Sequence, residues 1–177
     1  MRTSLRVVAV LAVVLAGSAA PSRAQSLQRL SIQGSGAVLF ATSDDPNFKS
    51  KTRLGWEAQL RYTFGRFSLG AGYQRSTVFS FQGNPLSIAL SLGFIEPRYV
   101  VVARSPVAAY LAGRLGVGKL VCSSCDSQTN ATLGGGGGLL FKLSHRISAD
   151  LGVQYFRVTG ELASGYAMLR AGLGVGI

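Results

Sequence analysis

Charged side chains are scarce in this chain: Asp, Glu, Lys and Arg make up 14% of its residues, against about 25% in a typical soluble domain. Hydrophobic residues make up 47%. A β surface that faces water usually carries many Lys and Glu side chains, and too few are present here to cover one. This shortage argues against an ordinary soluble β protein.

Long apolar runs are also missing. After residue 24 no stretch offers 18 consecutive apolar residues, so the sequence predicts no transmembrane helix. The first 24 residues do contain a shorter apolar run, and Arg2 and Arg6 precede it. Small residues occupy the positions that a signal peptidase recognises in Ser22-Arg23-Ala24. We therefore predict a secretory signal peptide over residues 1–24 and one mature domain over residues 25–177.

Acidic residues are few as well, with 7 Asp and Glu against 18 Lys and Arg. The formal charge is +11, and removal of Arg2, Arg6 and Arg23 with the signal peptide leaves +8. An exported protein rarely meets nucleic acid, so no nucleic-acid partner is predicted. The anionic partners at hand are phosphorylated lipid head groups. A solvated basic rim is the simpler alternative.

Histidine and cysteine, which supply many catalytic and metal sites, occur once and twice. His145 lies in a short predicted turn, which argues against a lipid-modifying Ser-His hydrolase. Cys122 and Cys125 lie in a predicted loop of an exported chain, where a small disulfide is favoured over free thiols. Two Cys without a nearby His make a poor metal site. We predict no catalytic residue, no metal and no cofactor.

What the sequence does contain is strict alternation. In "LGWEAQLRYTFGRFSLGAGYQ", Leu54–Gln74, every second residue is apolar, and the pattern restarts after Gly65-Arg66. Two period-2 segments joined by a two-residue break predict a β-hairpin.

The same alternation recurs through the chain and predicts eight strands of about ten residues, the length that crosses a bilayer at a tilt. In one of them Leu90, Leu92 and Phe94 are assigned to the apolar outer face. A bulge at Ile95–Pro97 is predicted to shift the phase, so that Tyr99 continues that face. Short connections alternate with longer polar ones, as they do between the periplasmic and extracellular ends of outer-membrane barrels.

The orientation of the apolar faces decides the class of protein. Turned inward, Leu, Phe, Tyr and Trp from eight strands would overfill a small barrel, and Gly, Ser, Ala and Thr would meet water. Turned outward, the apolar faces meet lipid and the small residues fit the lumen. We therefore predict an all-β, eight-stranded antiparallel up-and-down transmembrane barrel. The alternatives are a small-solute, porin-like channel and a soluble, lipocalin-like carrier of an apolar ligand.

Several segments resemble the small outer-membrane β-barrel (OmpA-like) family: "GFIEPRY", "LAGRLGVG" and "GGGGGLLFKLSHRISADLGVQYF". The resemblance covers the mature chain and implies residence in the outer membrane of a Gram-negative-type bacterium, after insertion by the barrel-assembly machinery. Such proteins commonly end in an aromatic residue, whereas this chain ends in Ile177. No peptidoglycan-binding domain follows, so that tethering role is not implied.

Three groups of residues are candidate functional sites. Charged residues on the lumen face are predicted to form a network that plugs the barrel, and a gated ion path is the alternative. The predicted network consists of Glu57, Arg61, Glu96, Arg98, Arg114, Asp150 and Arg170. Arg75, Lys119 and Arg157 interrupt the outer face near the loops and are candidates for contact with lipopolysaccharide phosphates. Loops Thr42–Arg53 and Leu120–Ala131 are candidates for contact with an extracellular ligand. The predicted role is structural or in surface interaction.

Overall fold

The computed structural model describes residues 29–42, 52–80, 87–121, 128–159 and 164–177. Eight strands occupy most of these residues: β1 Leu30–Thr42, β2 Thr52–Phe64, β3 Phe67–Ser80, β4 Ser87–Arg104, β5 Val107–Val121, β6 Gln128–Lys142, β7 Ile147–Val158 and β8 Ser164–Gly176. No helix within the described ranges is long and apolar enough to cross a membrane. The predicted strand count is confirmed.

Each strand pairs antiparallel with the next, and β8 pairs with β1 to close the barrel. Closure leaves no unpaired strand edge, because every strand has two neighbours. The β2–β3, β4–β5 and β6–β7 connections are short and lie at one end, called the turn end below. The opposite end is called the loop end, and most of its connecting residues lie outside the described ranges.

Local chemistry explains two of the turns. Gly65 has a φ of 62°, in the left-handed region that favours glycine, and it joins β2 to β3 as the hairpin prediction requires. In the β6–β7 turn the Ser144 hydroxyl accepts hydrogen bonds from the backbone N–H groups of Arg146 and Ile147, at 3.3 and 3.1 Å. A serine side chain thus satisfies backbone donors that the ladder leaves free.

The outer surface of the barrel is apolar. Large hydrophobic side chains from all eight strands are exposed, including Leu54 at 76%, Leu133 at 61% and Leu111 at 58%. Monomeric soluble proteins rarely expose a contiguous apolar patch of more than a few hundred Å². A surface of this kind suits the hydrocarbon of a bilayer, and it contradicts the soluble-carrier alternative, in which these faces would turn inward.

The interior corrects one strand assignment. Leu90, Leu92 and Phe94 point into the lumen, with exposures of 0%, 0% and 5%. Strand β4 keeps a single alternation through Glu96 and Arg98, and no phase shift occurs at Ile95–Pro97. The register shifts lie instead between Val100 and Val102, against β5, and between Thr77 and Phe79, against β4.

Glycines on the two neighbouring strands explain why β4 turns its large residues inward. Phe94 pairs with Gly72 on β3 and Gly116 on β5. A Cβ at Gly72 would lie 2.7 Å from the Phe94 ring, and one at Gly116 would lie 2.9 Å from a Leu92 methyl. The missing side chains on β3 and β5 therefore leave the space that β4 fills.

The lumen consequently has two halves of different chemistry. The apolar half, toward the loop end, is a buried cluster of nine residues: Ala37, Leu39, Leu90, Leu92, Phe94, Phe156, Val158, Tyr166 and Met168. The charged half, toward the turn end, contains the seven residues predicted for the lumen network. The expectation that the uncharged part of the lumen would be lined by small residues is wrong for the apolar half.

The "GGGGG" segment, Gly134–Gly138, belongs to β6. A Cβ at Gly138 would lie 2.5 Å from the Tyr110 hydroxyl oxygen. Glycine here leaves room for a large lumen side chain on the adjacent strand.

Candidate functional site: the charged half of the lumen

Glu96 is the centre of the charged half and is fully buried, with 0% exposure. Each of its carboxylate oxygens accepts three hydrogen bonds, at 2.7 to 3.1 Å. The donors come from strands β2, β4, β5, β7 and β8: Arg61, Arg98, Arg114, Gln154 and Arg170. One carboxylate therefore links five strands through the middle of the barrel.

Glu57 forms the second node, nearer the apolar half. Its two oxygens accept hydrogen bonds from Arg114 at 2.5 Å and from Arg170 at 2.9 Å. Arg114 also donates to Gln74 at 2.7 Å, and its guanidinium lies 3.8 Å from the centroid of the Phe94 ring. This stacking joins the charged half to the apolar half, because the ring offers its negative face to the cation.

Asp150 forms the third node, nearest the turn end. It accepts hydrogen bonds from Arg98 at 2.5 Å and from the Tyr110 hydroxyl at 3.0 Å. The same hydroxyl accepts from Arg170 at 3.1 Å, and the Arg98 guanidinium lies 4.5 Å from the Tyr110 ring centroid. Tyr110 thus connects Asp150 to two of the arginines.

The structure brings all seven predicted lumen residues into one connected network, each with at most 6% exposure. Four arginines face three carboxylates, which leaves one positive charge in excess. Buried ions are stable only when paired and hydrogen-bonded, because desolvation costs several kcal/mol for each ion. The arrangement can hold strands together across the lumen, and it offers no open carboxylate pair for acid–base catalysis.

Sequence reasoning missed the neutral members of the network. Tyr110 and four glutamines lie on the lumen face and are buried: Gln33, Gln59, Gln74 and Gln154. Each occupies a position that the period-2 pattern of its own strand assigns to the lumen, so the same pattern could have identified them. Gln59, for example, lies between Glu57 and Arg61 on β2 and accepts from Arg61 at 2.7 Å.

The three outward cations are not brought together. Arg75, Lys119 and Arg157 are exposed on the outer face, as their parity predicted. They lie in the loop-end halves of β3, β5 and β7, so a strand separates each from the next around the barrel.

Other predicted features lie elsewhere. His145 is exposed in the turn-end connection between β6 and β7, as predicted. Within the described ranges no cluster of His, Cys, Asp and Glu could hold a metal. Three predicted features fall wholly or largely outside those ranges: the signal peptide, Cys122 with Cys125, and the two candidate contact loops.

Comparison with known proteins shows the fold. The sequence matches no protein-family model and no curated protein. The structure is similar to Neisserial surface protein A, with a TM-score of 0.72 and 19% identity over 84% of this chain and 97% of that one. It is also similar to Ail, the attachment invasion locus protein of Yersinia pestis, with a TM-score of 0.61 and 17% identity over 84% and 98%.

A third similar structure is the N-terminal β-barrel domain of Pseudomonas aeruginosa OprF, with a TM-score of 0.54 and 13% identity over 83% of this chain and 98% of that one. Ail has also been solved in complex with the heparin analogue sucrose octasulfate. These neighbours are small outer-membrane barrels. The predicted fold, an eight-stranded transmembrane β-barrel of the outer-membrane type, is confirmed.

Proposed function

We propose that this protein is an outer-membrane barrel with a structural or surface-interaction role, and that its lumen is closed to solutes. One observation carries the proposal: buried side chains fill the lumen through the apolar half and across the charged nodes. The charged half is tied by Glu96, Glu57 and Asp150 to four arginines, and the apolar half is packed with buried residues such as Leu92, Phe156 and Met168. Eight strands enclose an interior that side chains can just fill.

Conductance in planar bilayers tests the closed lumen. We expect the purified mature protein to produce no stable conductance steps above the lipid baseline. A matched variant, Leu92→Ala with Phe156→Ala, removes packing from the apolar half and leaves the charged network in place. Stable, reproducible steps from the unmodified protein would overturn the closed-lumen proposal and favour the small-solute channel.

The second part of the proposal concerns lipopolysaccharide. Arg75, Lys119 and Arg157 are exposed cations on an otherwise apolar outer face, at the end where the outer leaflet would lie. A cation near the interface costs little, and a lipid phosphate offers it a charged partner. Because the three lie on alternate strands, their contributions should be separate and additive.

Charge reversal tests this contact. The variant with Arg75→Glu, Lys119→Glu and Arg157→Glu should fold, because these side chains lie outside the lumen, and it should retain less lipopolysaccharide on purification. A matched control, Arg29→Glu with Arg104→Glu and Arg146→Glu, reverses three exposed cations at the turn end and should retain the normal amount. Equal retention by both variants and by the unmodified protein would dismiss the proposed contact.

Interaction with extracellular ligands through the loops is proposed on the fold alone. Ail, which shares that fold, has been solved with a sulfated carbohydrate analogue. Direct binding of heparin fragments to the purified protein in detergent would test whether this chain shares that property. Absence of binding would leave a structural role as the better description.

A further inference from the structure

Outside the lumen network, every charged side chain that the structure describes at the turn end is basic. Three of the seven acidic residues, Glu57, Glu96 and Asp150, lie in the lumen network. The other four lie outside the described ranges, in the sequence between β1 and β2, between β5 and β6, or between β7 and β8: Asp44, Asp45, Asp126 and Glu161. The turn end has five basic residues: Arg29, Arg66, Arg104, Lys142 and Arg146.

A cavity of about 50 Å³ opens into the lumen at this end. A single water needs about 10–15 Å³, so a small oxyanion has room. The cavity is lined by four arginines: Arg61, Arg66, Arg98 and Arg146. Hydroxyl-bearing side chains such as Ser31, Ser68 and Ser148 also line it. Among the described residues of the lining, none has a carboxylate side chain.

Two of these arginines are available to pair with an anion. Arg66 and Arg146 form no ion pair with a carboxylate anywhere in the described part of the chain. Their backbones are fixed, because the Arg66 carbonyl accepts from Val100 N–H at 2.8 Å and the Arg146 carbonyl accepts from Gly176 N–H at 2.7 Å. The barrel therefore anchors the backbones from which both side chains reach the cavity.

The cavity wall also has more donors than acceptors. Arg61 and Gln33, which are 6% and 4% exposed, each keep a buried nitrogen without a hydrogen-bond partner in the described residues, and so does Arg66. The Asp150 and Glu96 carboxylates already accept hydrogen bonds from Arg98 and Arg61. The network's excess positive charge adds to this imbalance. An anion with several acceptor oxygens would complement it.

We propose that this turn-end cavity binds a phosphate-type oxyanion, held chiefly by Arg66 and Arg146 and oriented by the lining hydroxyls. In outer-membrane barrels short turns face the periplasm. The oxyanion would thus come from that side, either as a free phosphate group or as the head group of a phospholipid in the inner leaflet. Guanidinium groups suit this ligand because they bind phosphate in a bidentate manner.

The test is an NMR titration of the barrel in zwitterionic detergent with inorganic phosphate, following the backbone amides of Ser148 and Gly174, which line the cavity. Phosphate should shift both signals and saturate, whereas chloride at equal ionic strength should not. The variant Arg66→Gln with Arg146→Gln should weaken phosphate binding by about tenfold or more, because two charge-assisted contacts are lost.

A matched control also loses two positive charges at the turn end. Arg29→Gln with Arg104→Gln lies outside the cavity lining, and its phosphate affinity should stay within about twofold of the unmodified protein. Equal weakening by both double variants would overturn the site in favour of general attraction to a basic rim. Heat-dependent gel mobility should show that both variants fold.

A second arm separates the two sources of phosphate. In nanodiscs, replacing phosphatidylcholine by phosphatidylglycerol should shift the same amides if the ligand is a lipid head group. Shifts with free phosphate alone identify a soluble ligand, and shifts with phosphatidylglycerol alone, abolished by Arg66→Gln with Arg146→Gln, identify a lipid. Absence of shifts in both arms would overturn the proposal.

Discussion

The two halves of the lumen fill the same barrel by different means. In the charged half Glu96 accepts six hydrogen bonds, and each bond fixes the position of one donor. In the apolar half Leu90, Leu92 and Met168 are also fully buried, but nothing directional holds them. The stability of the charged half therefore depends on which donor and acceptor atoms are present. The stability of the apolar half depends on how completely its side chains fill the space.

The largest effect should come from a nearly isosteric change in the charged half. Glu96→Gln places an amide NH₂ where three arginine or glutamine donors now meet a carboxylate oxygen, and it leaves four arginines with two carboxylates. We expect a loss of about 3–5 kcal/mol in the free energy of unfolding. Urea titration in detergent micelles measures it. The control Ser91→Ala, on the same strand, should cost within about 0.5 kcal/mol, and an equal loss in both would contradict the account.

The apolar half should respond to volume. Leu92→Ala removes a fully buried side chain and should cost about 2–5 kcal/mol, whereas Leu92→Met preserves volume and should cost less than about 1.5 kcal/mol. The same urea titration compares them. If Leu92→Met were as damaging as Glu96→Gln, the distinction between the two halves would fail.

A smaller effect should come from filling a glycine space. A Cβ at Gly138 would collide with the Leu151 carbonyl and the Tyr110 hydroxyl, while one at Gly36 has no neighbour within 4 Å. Gly138→Ala should cost about 1–3 kcal/mol because Tyr110 must move away from Asp150. Gly36→Ala should be near neutral. Comparable losses for the two would show that room for Tyr110 is not the reason for this glycine.

Much of the fold follows from period-2 alternation. Strand number, tight turns and the outward face of seven strands could be predicted, because most large apolar residues of these strands lie on one face, as all of those on β2 do. Phe156 and Val158 of β7 are exceptions, since they face the lumen. The orientation of β4 could not be assigned in this way, since its loop-end half turns large apolar residues into the lumen and small residues toward the outer surface. Its orientation depends on the glycines of β3 and β5, and that requires the register between strands.

Membership of the lumen network was also predictable from parity, which places Glu57, Glu96 and Asp150 inside with the arginines. The partners were not, because Arg170 and Glu57 lie 113 residues apart and meet only after the barrel closes. The turn-end cavity could not be predicted either. Arg66 and Arg146 belong to turns separated in sequence, and only the closed barrel brings both to one opening.

The most direct test of the account is a double-mutant cycle on the Glu57–Arg114 pair, whose atoms lie 2.5 Å apart inside the network. Glu57→Gln takes one of its two carboxylate partners from Arg114, and Arg114→Met takes one of its two arginine partners from Glu57. The double variant removes both charges of the pair. The account predicts that the double variant loses less unfolding free energy than the two single losses combined, by about 0.5–3 kcal/mol. Losses that simply add would contradict the claim that the charged half is held by specific pairs across the lumen.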